Sequence, residues 1–414
     1  MLDALAPPAG PSPAPALEAR FGAANYAPLP VVLTRGRGVW VWDSEGRRYL
    51  DMMGAYSALA FGHAHPRLTA ALCQQARRLA LTSRAFHNDR LGPFLARACA
   101  MTGMDRALPM NSGAEGVETA IKAARRWAYR VKGVPEDRAE IIVCAGNFHG
   151  RTTTIIGFSS VPAYRDGFGP YAPGFRLIPY GDAQALEAAI TPYTAAFLVE
   201  PIQGEAGIVV PPPGWLARCA EICRRHGVLL IADEVQTGLG RTGRLLACAH
   251  EGVRPDGLIL GKALGGGLVP ISLFLARAEV MAVFTPGSHG STFGGNPLAC
   301  AVGLAALELI EALDLPARAA QLGARLMEGL LSIRHPAIRA VRGKGLLIGV
   351  ELAPEIDAEA FTLRLMDLGL LTRAVHGHTL RLAPPLIITA AQIERALAIL
   401  RRAFAGLPGP PAAS

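Results

Sequence analysis

Short runs of apolar residues recur through the middle of the chain and alternate with stretches of helical periodicity. The apolar runs cover residues 141–144, 195–199, 228–232 and 258–260, and helical stretches between them include residues 183–190 and 215–226. Strands that lack a polar face are typical of a parallel sheet with helices packed on both sides. The pattern therefore predicts an α/β fold with a mainly parallel sheet.

The two ends of the chain show different patterns. Residues 38–51 place apolar positions around a polar Asp-Ser-Glu-Gly turn, which predicts a β-hairpin, and residues 115–131 predict a long helix. Near the C-terminus, helical sequence encloses strand-like sequence at 345–352 and 370–386, and the last helix covers 390–405. We therefore predict a disordered Pro/Ala-rich tail (1–16), an N-terminal segment (17–55), a large domain (56–309) and a small α+β domain (310–414).

Composition excludes several classes of protein. Of 414 residues, 51% are hydrophobic and 18% are charged, which is too apolar for a disordered protein. The net charge of +8 comes from arginines spread along the chain, so anionic small ligands fit it better than nucleic acid. The most apolar stretch, 257–276, is interrupted by Lys262 and three consecutive glycines, which argues against a membrane helix.

The cysteines and the N-terminal residues indicate the cellular compartment of the protein. Seven cysteines without a C-x-x-C pair indicate reduced thiols, as in cytosolic proteins. Residues 1–16 lack the basic start of a signal peptide and the arginines of a transit peptide. We therefore expect a cytoplasmic protein.

Polar or glycine-rich sequence follows each of the four apolar runs. In chain order these loops read GNFHGRT, EPIQGEAG, DEVQTGLGRTG and GKALGGG. In a parallel sheet, ligands bind beyond the carboxyl ends of the strands. We therefore expect the four loops to form one site.

Lys262 and Asp233 are charged residues at the ends of apolar runs. A buried ammonium or carboxylate is costly unless it is paired or neutral. A lysine with a lowered pKa is the usual source of a Schiff-base amine, and an aspartate can pair with a protonated pyridine nitrogen. The two residues therefore predict a pyridoxal 5'-phosphate (PLP) site. Residues 111–115 (NSGAE) offer backbone amides to its phosphate, although Ser-x-x-Glu is also an ordinary capping box.

Six motifs together make the chain resemble the class III (ω-amino) aminotransferases of PLP fold type I, and among them the ornithine δ-aminotransferases. The motifs are MNSGAEGVETAIK, GNFHGRT, VEPIQGEAG, IADEVQTGLGRTG, LGKALGGG and HGSTFGGNPLAC, within a match that covers about residues 25–386. The resemblance implies a large domain with a mainly parallel seven-stranded sheet. It also implies a homodimer with shared active sites.

The resemblance assigns roles to the residues of the cofactor site. Lys262 would be the Schiff-base lysine and proton shuttle, and Asp233 would pair with the pyridine nitrogen. The remaining cofactor-binding residues would be Ser112, Gly113 and Ala114 at the phosphate, Phe148 stacked on the ring, Gln236 at the phenolic oxygen, and Ser291 and Thr292 at the phosphate of the neighbouring subunit. No metal is expected, because His63-x-His65 has no third ligand near it in the sequence and is interpreted as structural.

Five residues would bind the substrates, which the resemblance implies are L-ornithine and 2-oxoglutarate. Arg381 would bind an α-carboxylate, and Glu205 would mask it while ornithine is bound. Arg151 and Tyr26 would hold the α-carboxylate of ornithine, and Tyr56 would line the site. The products would be glutamate and glutamate-5-semialdehyde, which would cyclise to pyrroline-5-carboxylate.

Two positions depart from the pattern of the ornithine enzymes. Ala60-Phe61 stands where those enzymes usually have Asn-Gln, and His149 stands where several have Trp. We expect neither position to contact the cofactor-binding residues. An acetylornithine or other ω-amino-acid aminotransferase is therefore an alternative. More distant alternatives are a PLP aminomutase, which would need no 2-oxoglutarate, and a PLP-fold binding protein, which would have no need of Lys262 and Asp233.

Overall fold

The computed structural model describes residues 12–407, so that most of the predicted tail lies outside the described residues. A helix over Ala14–Phe21 nevertheless begins inside the tail, and the prediction of disorder is wrong for residues 14–16. Pro15 lies in the first turn of this helix, where a missing backbone N–H removes no intrahelical bond. The other predicted boundaries between the parts stay predictions.

Three strands form the N-terminal part of the fold: β1 (Leu33–Arg37), β2 (Trp40–Asp43) and β3 (Arg48–Asp51), each antiparallel to the next. The turn between β2 and β3 is held by Asp43, whose Oδ1 accepts hydrogen bonds from the N–H groups of Glu45 at 3.0 Å and Arg47 at 2.8 Å. The hairpin predicted at residues 38–51 is confirmed.

Seven strands form the main sheet. They are β4 (Arg106–Met110), β5 (Glu140–Cys144), β6 (Phe175–Ile178), β7 (Thr194–Val199), β8 (Leu229–Asp233), β9 (Gly257–Leu260) and β10 (Ser272–Ala276). Their order is β4-β10-β9-β8-β7-β5-β6. The five strands from β9 to β6 pair in parallel, and β10 is antiparallel to both of its neighbours. The predicted fold class is confirmed.

Successive residues of the central strands face two different hydrophobic cores. In β8, Leu229 and Ile231 belong to the core on one face of the sheet, whereas Leu230 and Ala232 belong to the core on the other. Both faces of the sheet are therefore covered, which explains why the sequence shows no polar alternation here.

A long helix over Gly113–Trp127 packs on this sheet and continues as a π-helical turn over Ala128–Lys132. Besides Ala14–Phe21, the other α-helices of five or more described residues cover Pro66–Ala76, Leu91–Thr102, Thr153–Gly157, Ala183–Ala189, Trp215–Arg225, Pro297–Ala312, Leu315–Leu331, Ala358–Asp367 and Ala390–Ala405. A four-residue helix covers Ala278–Met281. Within residues 12–407, no helix has the length and apolar character needed to cross a membrane.

Four of the C-terminal strands form a separate sheet, and a fifth joins the sheet of the N-terminal strands β1 to β3. Strands β11 (Ile338–Lys344) and β12 (Leu347–Leu352) are followed by the short strands β13 (Leu370–Leu371), β14 (Arg373–Val375) and β15 (Thr379–Leu382). Their antiparallel sheet has the order β11-β12-β15-β14, while β13 pairs in parallel with β3. The C-terminal strands thus lie against the N-terminal hairpin.

Candidate active site

A cavity of about 180 Å³ lies beyond the carboxyl ends of the parallel strands. Its lining includes Phe148 from the loop after β5, Glu200 from the loop after β7, Asp233 at the end of β8, and Lys262 after β9. All four loops therefore contribute to one site, as predicted.

Lys262 begins a short 3₁₀ turn over Lys262–Gly265 directly after β9. Its φ of +46° is unusual for a residue with a side chain, and such backbone strain is concentrated at functional sites. Burial lowers the pKa of the Lys262 ammonium, and the nearby Arg381 lowers it further, against the opposing charges of Glu205 and Asp233. The lowered pKa favours the neutral amine, which is the nucleophilic form.

Asp233 is fixed through both of its carboxylate oxygens. Oδ1 accepts a hydrogen bond from the Val235 N–H at 3.0 Å, and Oδ2 lies 2.7 Å from Nδ1 of His149. The His149 side chain is fully buried, and burial lowers its pKa, but the hydrogen bond and the negative charge of Asp233 outweigh burial and raise the pKa overall. The imidazolium form is therefore favoured beside Asp233.

The expectation that His149 contacts no cofactor-binding residue is wrong. His149 lies 84 positions before Asp233 in the chain, and only the packing of the loop after β5 against the end of β8 brings them together. A histidine between Phe148 and Gly150 has no sequence feature that predicts this partner. Ala60 and Phe61, the other departure, are buried in the core.

Glu200 is a buried carboxylate that sequence reasoning did not single out. Its two oxygens accept hydrogen bonds from the N–H groups of Phe148 at 2.8 Å and Gly204 at 3.2 Å. Burial raises the pKa of Glu200 to about 7, although the charge of His149 acts in the opposite direction. The one available signal was its position at the end of the apolar run that forms β7.

The expected phosphate-binding residues lie at the N-terminus of the helix Gly113–Trp127. The Ser112 hydroxyl takes part in a capping box with Glu115, while Gly113 and Ala114 line the cavity. First-turn N–H groups have no partner within a helix and can bind an anion. An added Cβ at Gly113 would lie 3.0 Å from the Val235 side chain, so that a larger residue would crowd this end of the cavity.

Ser291 and Thr292 lie in a loop beside this helix terminus. The Asn111 side chain donates a hydrogen bond to the Ser291 Oγ at 3.0 Å within the same chain, and Thr292 is exposed. Asn111 is adjacent to Ser112, so that the loop lies at the phosphate end of the cavity.

The residues around the cavity fit PLP. Within residues 12–407, two buried polar atoms of the lining have no hydrogen-bond partner, His149 Nε2 and Gln236 Oε1. The cavity also combines an amine of lowered pKa, a buried carboxylate and the helix N-terminus at Gly113 and Ala114, which match an aldehyde, a pyridinium nitrogen and a phosphate. The chemistry of the lining is therefore that of a PLP site.

Arg381 and Glu205 form an ion pair next to Lys262. The Arg381 side chain is fully buried, its Nη1 contacts Glu205 Oε1, and its Nε and Nη2 have no hydrogen-bond partner in the described part of the chain. The ring of Tyr56 covers the guanidinium at 4.7 Å. Glu205 also accepts a hydrogen bond from Gln236 at 3.4 Å. The pair therefore borders the cofactor cavity.

Arg151 and Tyr26 are the remaining expected substrate-binding residues. The guanidinium of Arg151 stacks on Tyr164 at 3.7 Å and lies 5.5 Å from the Phe148 ring. Tyr26 is 78% exposed and lines a separate apolar cavity of about 400 Å³. Tyr56 borders this apolar cavity and also the cavity of about 320 Å³ that contains Arg381 and Glu205. Tyr56 thus lies between the cavity that Tyr26 lines and the cavity that Arg381 lines.

Comparison with known proteins identifies the family. The family model "Aminotransferase class-III" matches residues 21–404. The chain is 56% identical to an ornithine aminotransferase of Geobacillus sp. over 94% of its own length and 98% of the relative's length. It superimposes with a TM-score of 0.93 and 48% identity on an ornithine aminotransferase of Toxoplasma gondii that has PLP at partial occupancy in its active site, covering 94% of this chain and 93% of that one.

A third relative has a different substrate in its name. An acetylornithine aminotransferase of Elizabethkingia anophelis is also 48% identical, with a TM-score of 0.87, and the match covers 95% of this chain and 98% of the relative. All three matches extend over nearly the whole chain. The chain belongs to the class III aminotransferase family.

Proposed function

We propose that the protein is a PLP-dependent enzyme that transfers the δ-amino group of L-ornithine to 2-oxoglutarate. The products are L-glutamate and glutamate-5-semialdehyde, which cyclises to pyrroline-5-carboxylate. The ornithine aminotransferases among its relatives support this proposal. The observation that carries it is the buried Arg381–Glu205 pair beside Lys262, because one site must accept an amino acid by its δ-end and a diacid by its α-end.

PLP supplies an electron sink for the carbon from which a proton is removed. Lys262 Nζ would hold the cofactor aldehyde and would move the proton of the donor carbon. Asp233 would keep a proton on the ring nitrogen, with His149 fixing the orientation of its carboxylate. Gln236 would bind the phenolic oxygen, and Phe148 would stack on the ring.

The helix terminus at Ser112, Gly113 and Ala114 would bind the phosphate. Its backbone N–H groups offer donors that need no charged side chain. The nearby Ser291 and Thr292 lie in a loop that we expect to serve the phosphate of a second subunit. Exposed Phe86 and Phe293, which are 71% and 54% exposed, support a homodimer that covers them. All seven cysteines are free thiols, which supports a cytoplasmic location.

The Arg381–Glu205 pair selects the end of the substrate that reacts. While Glu205 neutralises Arg381, ornithine is not drawn in by its α-carboxylate, and Arg151 with Tyr26 holds that carboxylate further out. The δ-amine would then reach the cofactor aldehyde and take the place of the Lys262 amine there. In the second half-reaction, the α-carboxylate of 2-oxoglutarate replaces Glu205 on Arg381, because a guanidinium binds a carboxylate through two parallel hydrogen bonds. Arg151 then binds the distal carboxylate.

A panel of amino donors tests this proposal. The PLP-loaded protein is assayed with 2-oxoglutarate and ornithine, N-acetylornithine or 4-aminobutyrate, with glutamate formation as the measurement and Lys262→Ala as the inactive control. We expect the highest kcat/KM for ornithine. The similarity to an acetylornithine aminotransferase makes that activity the second candidate. A higher kcat/KM for N-acetylornithine than for ornithine would refute the proposal in favour of this candidate.

A further inference from the structure

Residues 54–57 form a turn whose backbone is left-handed at four consecutive positions. The φ angles are +55° at Gly54, +46° at Ala55, +59° at Tyr56 and +74° at Ser57. Residues with a side chain avoid this region, because Cβ approaches the following carbonyl oxygen. Strained backbone persists only where its surroundings hold it. The turn carries Tyr56, the residue whose ring covers the guanidinium of Arg381.

Asp51 holds the start of this turn. Its Oδ1 accepts hydrogen bonds from the N–H groups of Met53 at 3.0 Å and Gly54 at 2.8 Å. Its Oδ2 lies 2.9 Å from Nε2 of His63, so that the imidazole fixes the orientation of the carboxylate. Asp51, Tyr56 and His63 all border the same apolar cavity.

His63 is itself fixed by its backbone and by its ring. It exchanges two backbone hydrogen bonds with Gly38, at 2.9 and 2.8 Å. Its ring packs directly on Gly36, where an added Cβ would lie 2.6 Å from the nearest ring atom. The ring therefore cannot keep its position beside a larger residue at position 36.

We propose that Asp51 and His63 are positioning residues for Tyr56 and, through Tyr56, for the guanidinium plane of Arg381. The proposal rests on the proposed function insofar as Arg381 binds the α-carboxylate of the dicarboxylic substrate. Binding through two parallel hydrogen bonds requires a fixed guanidinium plane. Once the incoming carboxylate has replaced Glu205, the ring of Tyr56 still orients this plane, and among residues 12–407 no hydrogen bond from Nε or Nη2 does so. Loss of the positioning pair weakens binding of the diacid and leaves the ornithine half-reaction nearly unchanged.

The test compares His63→Ala with the matched control His65→Ala, because the His65 side chain makes no capping bond to its helix. The concentration dependence of the single-turnover rate with the aminated cofactor gives the Kd of 2-oxoglutarate, and single-turnover rates are also measured with glutamate and with ornithine. We expect His63→Ala to raise the Kd about tenfold, as for loss of one hydrogen bond to a charged group. His65→Ala should leave the Kd unchanged. His63→Gln, whose amide can donate from the position of Nε2, should restore part of the affinity.

A double variant tests whether His63 acts through Tyr56. In Tyr56→Ala/His63→Ala the effect on the Kd should be no larger than in Tyr56→Ala alone, since coupled residues are not additive. Gly36→Ala, which displaces the His63 ring, replaces His63→Ala should that variant fail to fold. An unchanged Kd, full additivity, or an equal loss in both half-reactions would overturn the proposal. Failure of the proposed function has a different signature: the wild-type protein would not react with ornithine, while the glutamate and 2-oxoglutarate measurements would still test His63.

Discussion

The hydrogen bond between His149 and Asp233 allows a quantitative prediction. Both side chains are almost fully buried, and the two atoms are 2.7 Å apart. Two variants separate the contribution of the hydrogen bond from that of the charge. His149→Phe removes the bond and the charge, whereas His149→Asn keeps an uncharged donor near the position of Nδ1.

The expected loss of stability follows from burial. Removing one partner of a buried charged pair costs about 3–5 kcal/mol, because the other charge stays buried without a partner. An unfolding entropy of about 2.1 cal/mol/K per residue amounts to roughly 0.9 kcal/mol/K for a chain of 414 residues. We therefore expect His149→Phe to lower Tm by about 3–6 °C. His149→Asn should have a smaller effect, because it still donates a hydrogen bond.

The lowering of Tm by the His149 substitutions should also depend on pH. The pKa of His149 is raised in the folded protein, by Asp233 against the opposing effect of burial. Protonation of His149 therefore stabilises the folded state fully below its ordinary pKa of about 6.5, and this stabilisation is lost as the pH rises through the raised pKa. The Tm difference between the wild type and His149→Asn should be largest near pH 6 and should shrink at alkaline pH.

Differential scanning calorimetry of the PLP-free proteins between pH 6 and 9.5, at constant ionic strength, measures both effects, because no ring nitrogen then offers Asp233 a second partner. His65→Asn serves as a control for a histidine that has no carboxylate partner among the described contacts. The reasoning is refuted if His149→Phe is as stable as the wild type, or if the difference for His149→Asn is the same at every pH.

Three further experiments test other parts of the site. Glu205→Ala should increase α-transamination of glutamate or ornithine at the expense of the δ-reaction, because Arg381 loses its mask; an unchanged single-turnover rate with glutamate would mean that Glu205 masks nothing. A mixture of Thr292→Ala and Lys262→Ala subunits should form hybrid dimers with one intact site and more activity than either parent, and proven hybrids without activity would place Thr292 in the site of its own subunit. Glu200→Gln should flatten the pH dependence of Tm between about pH 4.5 and 7, since the raised pKa of Glu200 makes the wild type lose stability as the pH rises through this range; an unchanged slope would contradict the burial of its charge.

The sequence by itself determined the fold class and the location of the site. Apolar runs without a polar face can only be strands or helices that are buried on all sides, and their short length identified them as strands. Lys262 and Asp233 were recognisable for the same reason, because an ionisable group at the end of a buried run requires a partner or a function. These signals are local, so that the order of residues is enough to reveal them.

Only the tertiary structure decided which groups face one another across the site. His149 lies on the loop after β5 and Asp233 at the end of β8, and their contact depends on the order of the sheet, in which β7 alone separates these two strands. The same holds for the pairing of Arg381, in strand β15 of the C-terminal sheet, with Glu205, which only the resemblance suggested.

The left-handed turn that carries Tyr56 is a further case. Ala55, Tyr56 and Ser57 have no intrinsic preference for a positive φ, and their conformation results from the Asp51 carboxylate and from His63 behind it. Periodicity and composition indicate how deeply a residue is buried. The partner of a polar group depends instead on the paths of the loops, which only the folded chain defines.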